Sequence, residues 1–296
     1  MTQINIMVTR HSAFYSPLIS TITGGFLKQE GLEPTYAIAT PQKSVRDGIR
    51  DGSIHLGQSA VSSSWGLMER GETSTVVHFA QINERDGFFI TARDPDPDFK
   101  WNKMIGKRVL VDHATQPLVM FKYAAHKMSV HYDQLDVIDV GGVDAIDKAF
   151  RAGQGDYVHQ QGPAPQQLEK DGVGYVVASV GEAIGPVAFS SVIASREWLQ
   201  TDMAKAFMGA YRKARSYVNE TPAAEIARAE ADFFKGIDHD VLTTTIAFYQ
   251  HLGCWNPDPR IVREAYDVAL DVFLHSGIIT KRHPYEAVVA LPPDEA

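Results

Sequence analysis

Polar side chains in this chain gather repeatedly at one kind of place: just after a short apolar run and just before a helix start. Arg10, His11, Ser12, Phe14 and Tyr15 follow the run Gln3–Thr9, and Thr40 and Gln42 follow Glu33–Ala39. Gln58 and Ser59 follow Ser53–Gly57, while His113, Thr115 and Gln116 follow Lys107–Val111. His159, Gln160 and Gln161 come directly after Asp156-Tyr157-Val158. Helix N-termini leave unpaired N–H groups and carry a partial positive charge, so such positions suit anions and carbonyl-like acceptors. Any one of these residues also reads as an ordinary helix cap. The set, repeated at several separate strand ends, is what points to a ligand. Phe14, Tyr15 and Trp65 are of a type to stack on a ring or to fill a core.

Harder chemistry has less support. Asp112-His113, with His11 and His159, offers acid–base groups, but none of the 11 histidines forms an HExxH or HxH pattern. No metal site is expected. The single cysteine, Cys254, excludes an intrachain disulfide and reads as a packed core thiol. The stretch Gly141–Phe150 lacks the Lys-Ser/Thr of a phosphate loop, and no GxGxxG follows the first strand, so no nucleotide cofactor is expected.

The elements that must position these residues alternate. The strand Gln3–Thr9 leads to a helix opened by Ser16-Pro17 and closed at Gly31. Strand Glu33–Ala39 leads to a helix expected to start at Thr40-Pro41, strand Ser53–Gly57 to a helix over 60–70, and strands 76–81 and 87–91 follow. The polar segment Arg93–Asp98, with two prolines, is the expected hinge or crossover. A second set then runs strand 107–111, helix to about 128, strand 136–140, helix 144–151, strand 156–159, helix 163–170 and strand 173–179. After a last strand, Gly185–Ala194, the chain is helical, and these helices must return to cover something already built. The expectation is an α/β protein of mostly parallel sheets. One lobe comprises residues 1–91 plus 186–296, including the C-terminal helices, and a second lobe comprises 92–185.

An apolar content of 44% and a charged content of 22% over 296 residues are ordinary for a globular chain of one large or two medium domains. A net charge of -8 disfavours a nucleic-acid partner and a polybasic membrane anchor. No stretch approaches a membrane span, so no direct insertion is expected. Ile4, Ile6 and Val8 alternate with other residues as in a strand, not a secretory signal. A cytoplasmic location is expected for the chain as it stands, and a periplasmic one if a signal has been removed.

The passage "FYSPLISTITGGFLKQEGLEP" (14–34) resembles the first strand–helix unit of the solute-binding proteins related to thiamine-pyrimidine synthases. This is the alkanesulfonate-, taurine- and formyl-aminopyrimidine-binding branch, with the type II periplasmic-binding-protein fold. "VRDGIRDGSIHLGQSAVSSSWGLMERGE" (45–72) is similar to that family's helix, short strand and cleft helix, and "MIGKRVLVD" (104–112) to its entry into the second lobe. "FRAGQGDYVHQQGPAPQQLEKDG" (150–172) resembles its return segment, and "VAFSSVIASREWLQ" (187–200) its final crossover. The resemblance implies a two-lobed clamp, with C-terminal helices on lobe one, that closes on a small molecule. It implies capture for the membrane component of an ABC importer, or a cytoplasmic relative of such a protein. The ligand expected is a small polar organic anion or a pyrimidine-like heterocycle. The runner-up is an enzyme on the same fold with His11 or His113 as general base. The pyrimidine-synthase branch itself is disfavoured: Ser59 and Ser63 stand about where its Lys and His fall, and "EAIGPVAFSSV" lacks its cysteines.

Overall fold

In the computed structural model, which describes residues 1–295, β1 (Thr2–Val8) places Ile4, Ile6 and Val8 wholly inside. It is followed by β2 (Leu32–Ile38), β3 (Leu56–Ser59) and β4 (Val77–Asn83). The chain then crosses to a second sheet as β5 (Phe88–Ala92), which is joined there by β6 (Arg108–Val111), β7 (Asp136–Ile138), β8 (Tyr157–Gln161) and β9 (Tyr175–Ser179). It returns to the first sheet as β10 (Ser190–Ala194).

The two sheets share one plan. The first has strand order β2-β1-β3-β10-β4 and the second β7-β6-β8-β5-β9. In each, the first three strands are parallel and the fourth, the crossing strand, is antiparallel to both neighbours. Each crossing strand thus fills a slot in a sheet made mostly by the other part of the chain, which ties the two halves together. The main apolar core is continuous through this junction: Phe14, Phe88, Phe89, Phe189 and Tyr249 belong to it together with residues of both sheets.

Local differences from the expected elements have local causes. The first long helix divides into Ser16–Thr23 and Phe26–Gln29 because Gly25 takes a left-handed conformation, φ 71°. Thr40-Pro41 opens no helix. Thr40 instead pairs with Lys43 through the backbone, and Ser44 caps Val45–Arg50 in a reciprocal arrangement with Asp47. The segment Arg93–Asp98 is not the crossover, since the chain has already reached the second sheet at Phe88; the crossing lies at 84–87. Residues 88–91, grouped by sequence with lobe one, pair with β8 and β9 of the second sheet. The expected strand from Gly185 begins at Ser190, after a short helix Val180–Ile184.

The helix Asp202–Glu220 packs on Ser16–Thr23 of the first sheet's side. Helices His239–Leu252 and Arg263–His275 also touch second-sheet helices, Ala164–Lys170 and Thr115–Lys127 respectively. No helix among the described residues is long and apolar enough to cross a membrane.

Candidate functional site

The carboxyl ends of β1, β3, β6 and β8 face one another, as ligand-binding ends of open parallel sheets do. Three side-chain bonds span the gap. Arg10 Nη1 donates to Asp112 Oδ2 at 3.0 Å, Ser12 Oγ to the Gly162 carbonyl at 2.9 Å, and Ser62 Oγ to Gln116 Oε1 at 2.7 Å. Gln116 Nε2 also reaches the Phe189 carbonyl on the returning crossover. The cleft is closed.

Within it lies a cavity of about 530 Å³, of ordinary size for a small-molecule site. Its polar side is built from strand ends. The buried Gln58 accepts from the Thr9 backbone N–H and hydroxyl through Oε1, while its Nε2 has no partner among the described residues. Tyr15 is buried against Gln161, and burial pushes its phenol up to about 12. Ser59 and Ser63 bond to each other at 3.0 Å beside the first turn of Ser62–Glu69. That turn and the first turn of Thr115–Lys127 both line the cavity and direct N-terminal partial positive charge at it. Arg10, stacked 5.7 Å from the Phe88 ring, is the charged side chain on the wall, and it has two nitrogens to spare beyond its bond to Asp112. Asp112 in turn accepts from the Ala114 N–H, which fixes the carboxylate that orients Arg10.

A second cavity, of about 390 Å³, lies beyond Arg10 and Gln161, which border both. His11, Ser12, Asp147 and Arg151 line it. Below the junction, Asp86 at the first crossing is wholly buried, accepts from the Phe88 N–H at Oδ1, and leaves Oδ2 unpartnered. Burial raises its carboxyl to about 7, helped by the nearby Asp112 charge.

Of the residues singled out in the sequence, Arg10, Tyr15, Gln58, Ser59, Thr115, Gln116 and Gln161 line the larger cavity, and His11 and Ser12 the smaller. Six do not line either. Phe14 is core, packed on Phe189 and Tyr249. Thr40 and Gln42 sit in the exposed turn before Ser44. His113 points outward to Asp139 at 2.9 Å. His159 is sealed between Phe88 and Phe121, and Gln160 turns to Asp147 at the far face of the strand. The alternation of a strand explains Gln160, which lies on the opposite face from Gln161, whereas His159 shares the face of Gln161 and is kept from the cavity by the Phe88 and Phe121 rings. Trp65 is also core, donating to the Tyr266 hydroxyl. Both ring nitrogens of His11 are taken, by the Tyr36 hydroxyl and the Phe233 carbonyl. Neither His11 nor His113 therefore faces the larger cavity as a free base.

The sequence left part of the wall unseen: Phe88, Phe189 and Ser190 from the crossing strands, Gly66 and Pro117 inside helices, and Phe273, Ile278 and Ile279 from the C-terminal region. A strand-end rule finds only residues at strand ends. The crossing residues were findable only with the crossing placed at 84–87.

With this geometry in view, the relatives are informative. The chain is 29% identical over 294 residues to YtlA of Bacillus subtilis (strain 168), which is named as a binding protein, covering 98% of this chain and 88% of that one. Its fold matches the alkanesulfonate-binding protein SsuA from Xanthomonas axonopodis pv. citri, solved with MOPS bound, at 17% identity and TM-score 0.72, covering 98% and 99% of the two chains. The periplasmic aliphatic sulphonate binding protein SsuA from Escherichia coli matches at 14% identity and TM-score 0.74, covering 99% and 93% of the two chains. The family model described as NMT1/THI5 like matches residues 13–225, through both sheets and into the first C-terminal helices, and the chain belongs to that family.

Proposed function

We propose that this protein is a solute-binding protein, the substrate-capture component of an ABC importer, which closes its cleft on one small organic molecule. One observation carries the reading: a cavity lies between the strand ends of two sheets, with hydrogen-bonding groups of Arg10, Gln58 and Gln161 on its lining. The family and the names borne by YtlA and the two SsuA proteins support it. The ligand is a small polar organic anion or a pyrimidine-like heterocycle, and the partner is the membrane component of the importer. In that role the protein works on the periplasmic side.

The test is a thermal-shift screen over sulfonates, carboxylates, pyrimidines and amino acids, followed by calorimetry on the hits. A ligand that binds only the folded form raises the melting temperature by mass action. Replacing Arg10 or Gln58 by Ala is expected to weaken a hit about tenfold or more, the equivalent of roughly 1.4 kcal/mol. His113→Ala, outside the cavity, is the control. Unchanged affinity in both Arg10→Ala and Gln58→Ala removes the cavity as the capture site.

A further inference from the structure

The two lobes also meet through a pair of imidazoles. His275 ends the helix Arg263–His275, and His126 lies in the last turn of Thr115–Lys127. Their ring centroids are 4.4 Å apart, with the planes 31° from parallel. Tyr123, one turn before His126, reaches the same place, 5.5 Å from His275. Both histidines are exposed.

The helices that carry them belong to different lobes. Arg263–His275 is fastened to the first: Trp65 donates to the Tyr266 hydroxyl at 2.9 Å and packs on Phe273, and Glu69 holds Thr280 and His283 just beyond the helix. Thr115–Lys127 is fastened to the second, through Phe121 against His159 and through Lys127, which donates to the Ile184 carbonyl. The same two helices line the larger cavity with Pro117 and Phe273, so widening the cleft there draws His275 away from His126.

No counter-charge is tied to the pair. The histidines paired with carboxylates among the described residues are His113 and His283. Asp271, one turn before His275, is taken by Arg282, and Glu69 of the helix behind it by Thr280 and His283. Lys122 lies over the Tyr132 ring, Lys127 is held at Ile184, and Glu182 and Lys281 are exposed to water. Burial raises the Tyr123 phenol above its usual value, so it stays neutral. Partial burial, and then the charge of His126, hold the His275 imidazole below its ordinary 6.5.

Resting on the capture reading above, we propose that His126 and His275 form a pH-sensitive latch between the lobes. Neutral, the rings stack and help to hold the cleft closed. Doubly protonated, they are like charges 4.4 Å apart, and the helices that carry them part. Once separated, the imidazoles titrate near 6.5, whereas in the closed form a proton is bound less readily, so the open form takes up more protons. The latch's contribution to closure is therefore complete above pH 6.5 and lost as pH falls below it. Two unit charges at this spacing, screened as in bulk water, lower the ratio of closed to open molecules about fivefold at low salt.

The test needs no ligand. Small-angle scattering of the ligand-free protein at low salt is expected to show the radius of gyration growing between pH 7.5 and 5.0, with circular dichroism unchanged. His126→Phe and His275→Phe each keep a ring in the stack and remove the charge pair. Both are expected to hold the pH 7.5 radius throughout. Titration of the imidazoles by NMR is expected to place His275 below 6.5 in the parent and higher in His126→Phe. A radius indifferent to pH in the parent, or one that grows equally in both variants, overturns the latch. So does a His275 titration that His126→Phe leaves in place. Each of those results leaves capture standing, since the thermal-shift screen decides it separately.

Discussion

The imidazole of His159 lies between two aromatic rings, 4.7 Å from Phe88 and 4.9 Å from Phe121, and neither of its nitrogens has a partner. Burial drives its pKa down to about 3, from an ordinary value of 6.5. Asp86, across the junction, is displaced the other way, to about 7 from 3.8. The two groups give opposite slopes of stability with pH. A neutral buried imidazole contributes stability that is complete above pH 6.5 and lost as pH falls toward 3, because the unfolded chain takes up the proton first. A carboxyl kept protonated in the folded state contributes stability that is complete below pH 3.8 and lost as pH rises toward 7. Each slope is at most about 1.4 kcal/mol per pH unit. Urea unfolding of His159→Phe from pH 7 to 4 is expected to show less acid loss than the parent, and Asp86→Asn more. Parallel curves for all three proteins would refute both assignments. The same pair shows what sequence discloses at this scale. "DYVHQQ" announces polar groups at a strand end, but whether an imidazole faces ligand or hides between phenylalanines depends on residues about 40 and 70 positions away. Gln161 reached the cavity and His159 did not, though both stand on the same face of one strand.

At the scale of elements, the strands up to β4 were legible because each carries its own period, while the helices between them were placed less well: the first divides at Gly25 and the second is capped at Ser44 and not at Thr40. The crossings were not legible. The diproline segment Arg93–Asp98 looks like a linker, whereas the true crossing at 84–87 is short and buried, with Asp86 inside and Gly87 against the Phe14 ring. Its partner in the return path is the helix Val180–Ile184, whose Gly181 lets the backbone of Asp86 approach closely. A methyl group at 181 would lie 2.3 Å from the Asp86 carbonyl oxygen, so one crossing must move off the other. Gly181→Ala is expected to cost about 1–3 kcal/mol by overpacking, read as a lower urea midpoint with an unchanged slope. Stability equal to the parent would mean that the crossings are free to slide, and that their contact does not set the relation between the sheets.

For the molecule as a whole, what matters is that the two sheets share a core at the crossings and meet through polar contacts at the cleft. Further contacts join helix Thr115–Lys127 to Arg263–His275 and Ala164–Lys170 to His239–Leu252. The continuous core, with Phe14, Phe88 and Tyr249, holds one side together. Across the cleft the walls are joined by Arg10–Asp112, Ser62–Gln116 and Ser12–Gly162. Such an arrangement can open by a hinge at the crossings without exposing the core. Of the three bonds, the ion pair is the one a single isosteric change removes. Asp112→Asn keeps a carbonyl oxygen for the Ala114 N–H while cancelling the charge that holds Arg10, whose side chain is 29% exposed and therefore partly screened. Taking the pair as worth about 1 kcal/mol at that exposure, the ratio of closed to open molecules falls about fivefold without it. Small-angle scattering of the ligand-free protein should then show a larger radius of gyration for Asp112→Asn than for the parent. Saturating ligand should bring the two together, since a ligand that prefers the closed form repopulates it. Identical scattering in both states would show that the ion pair does not hold the cleft, and that closure rests on the remaining contacts.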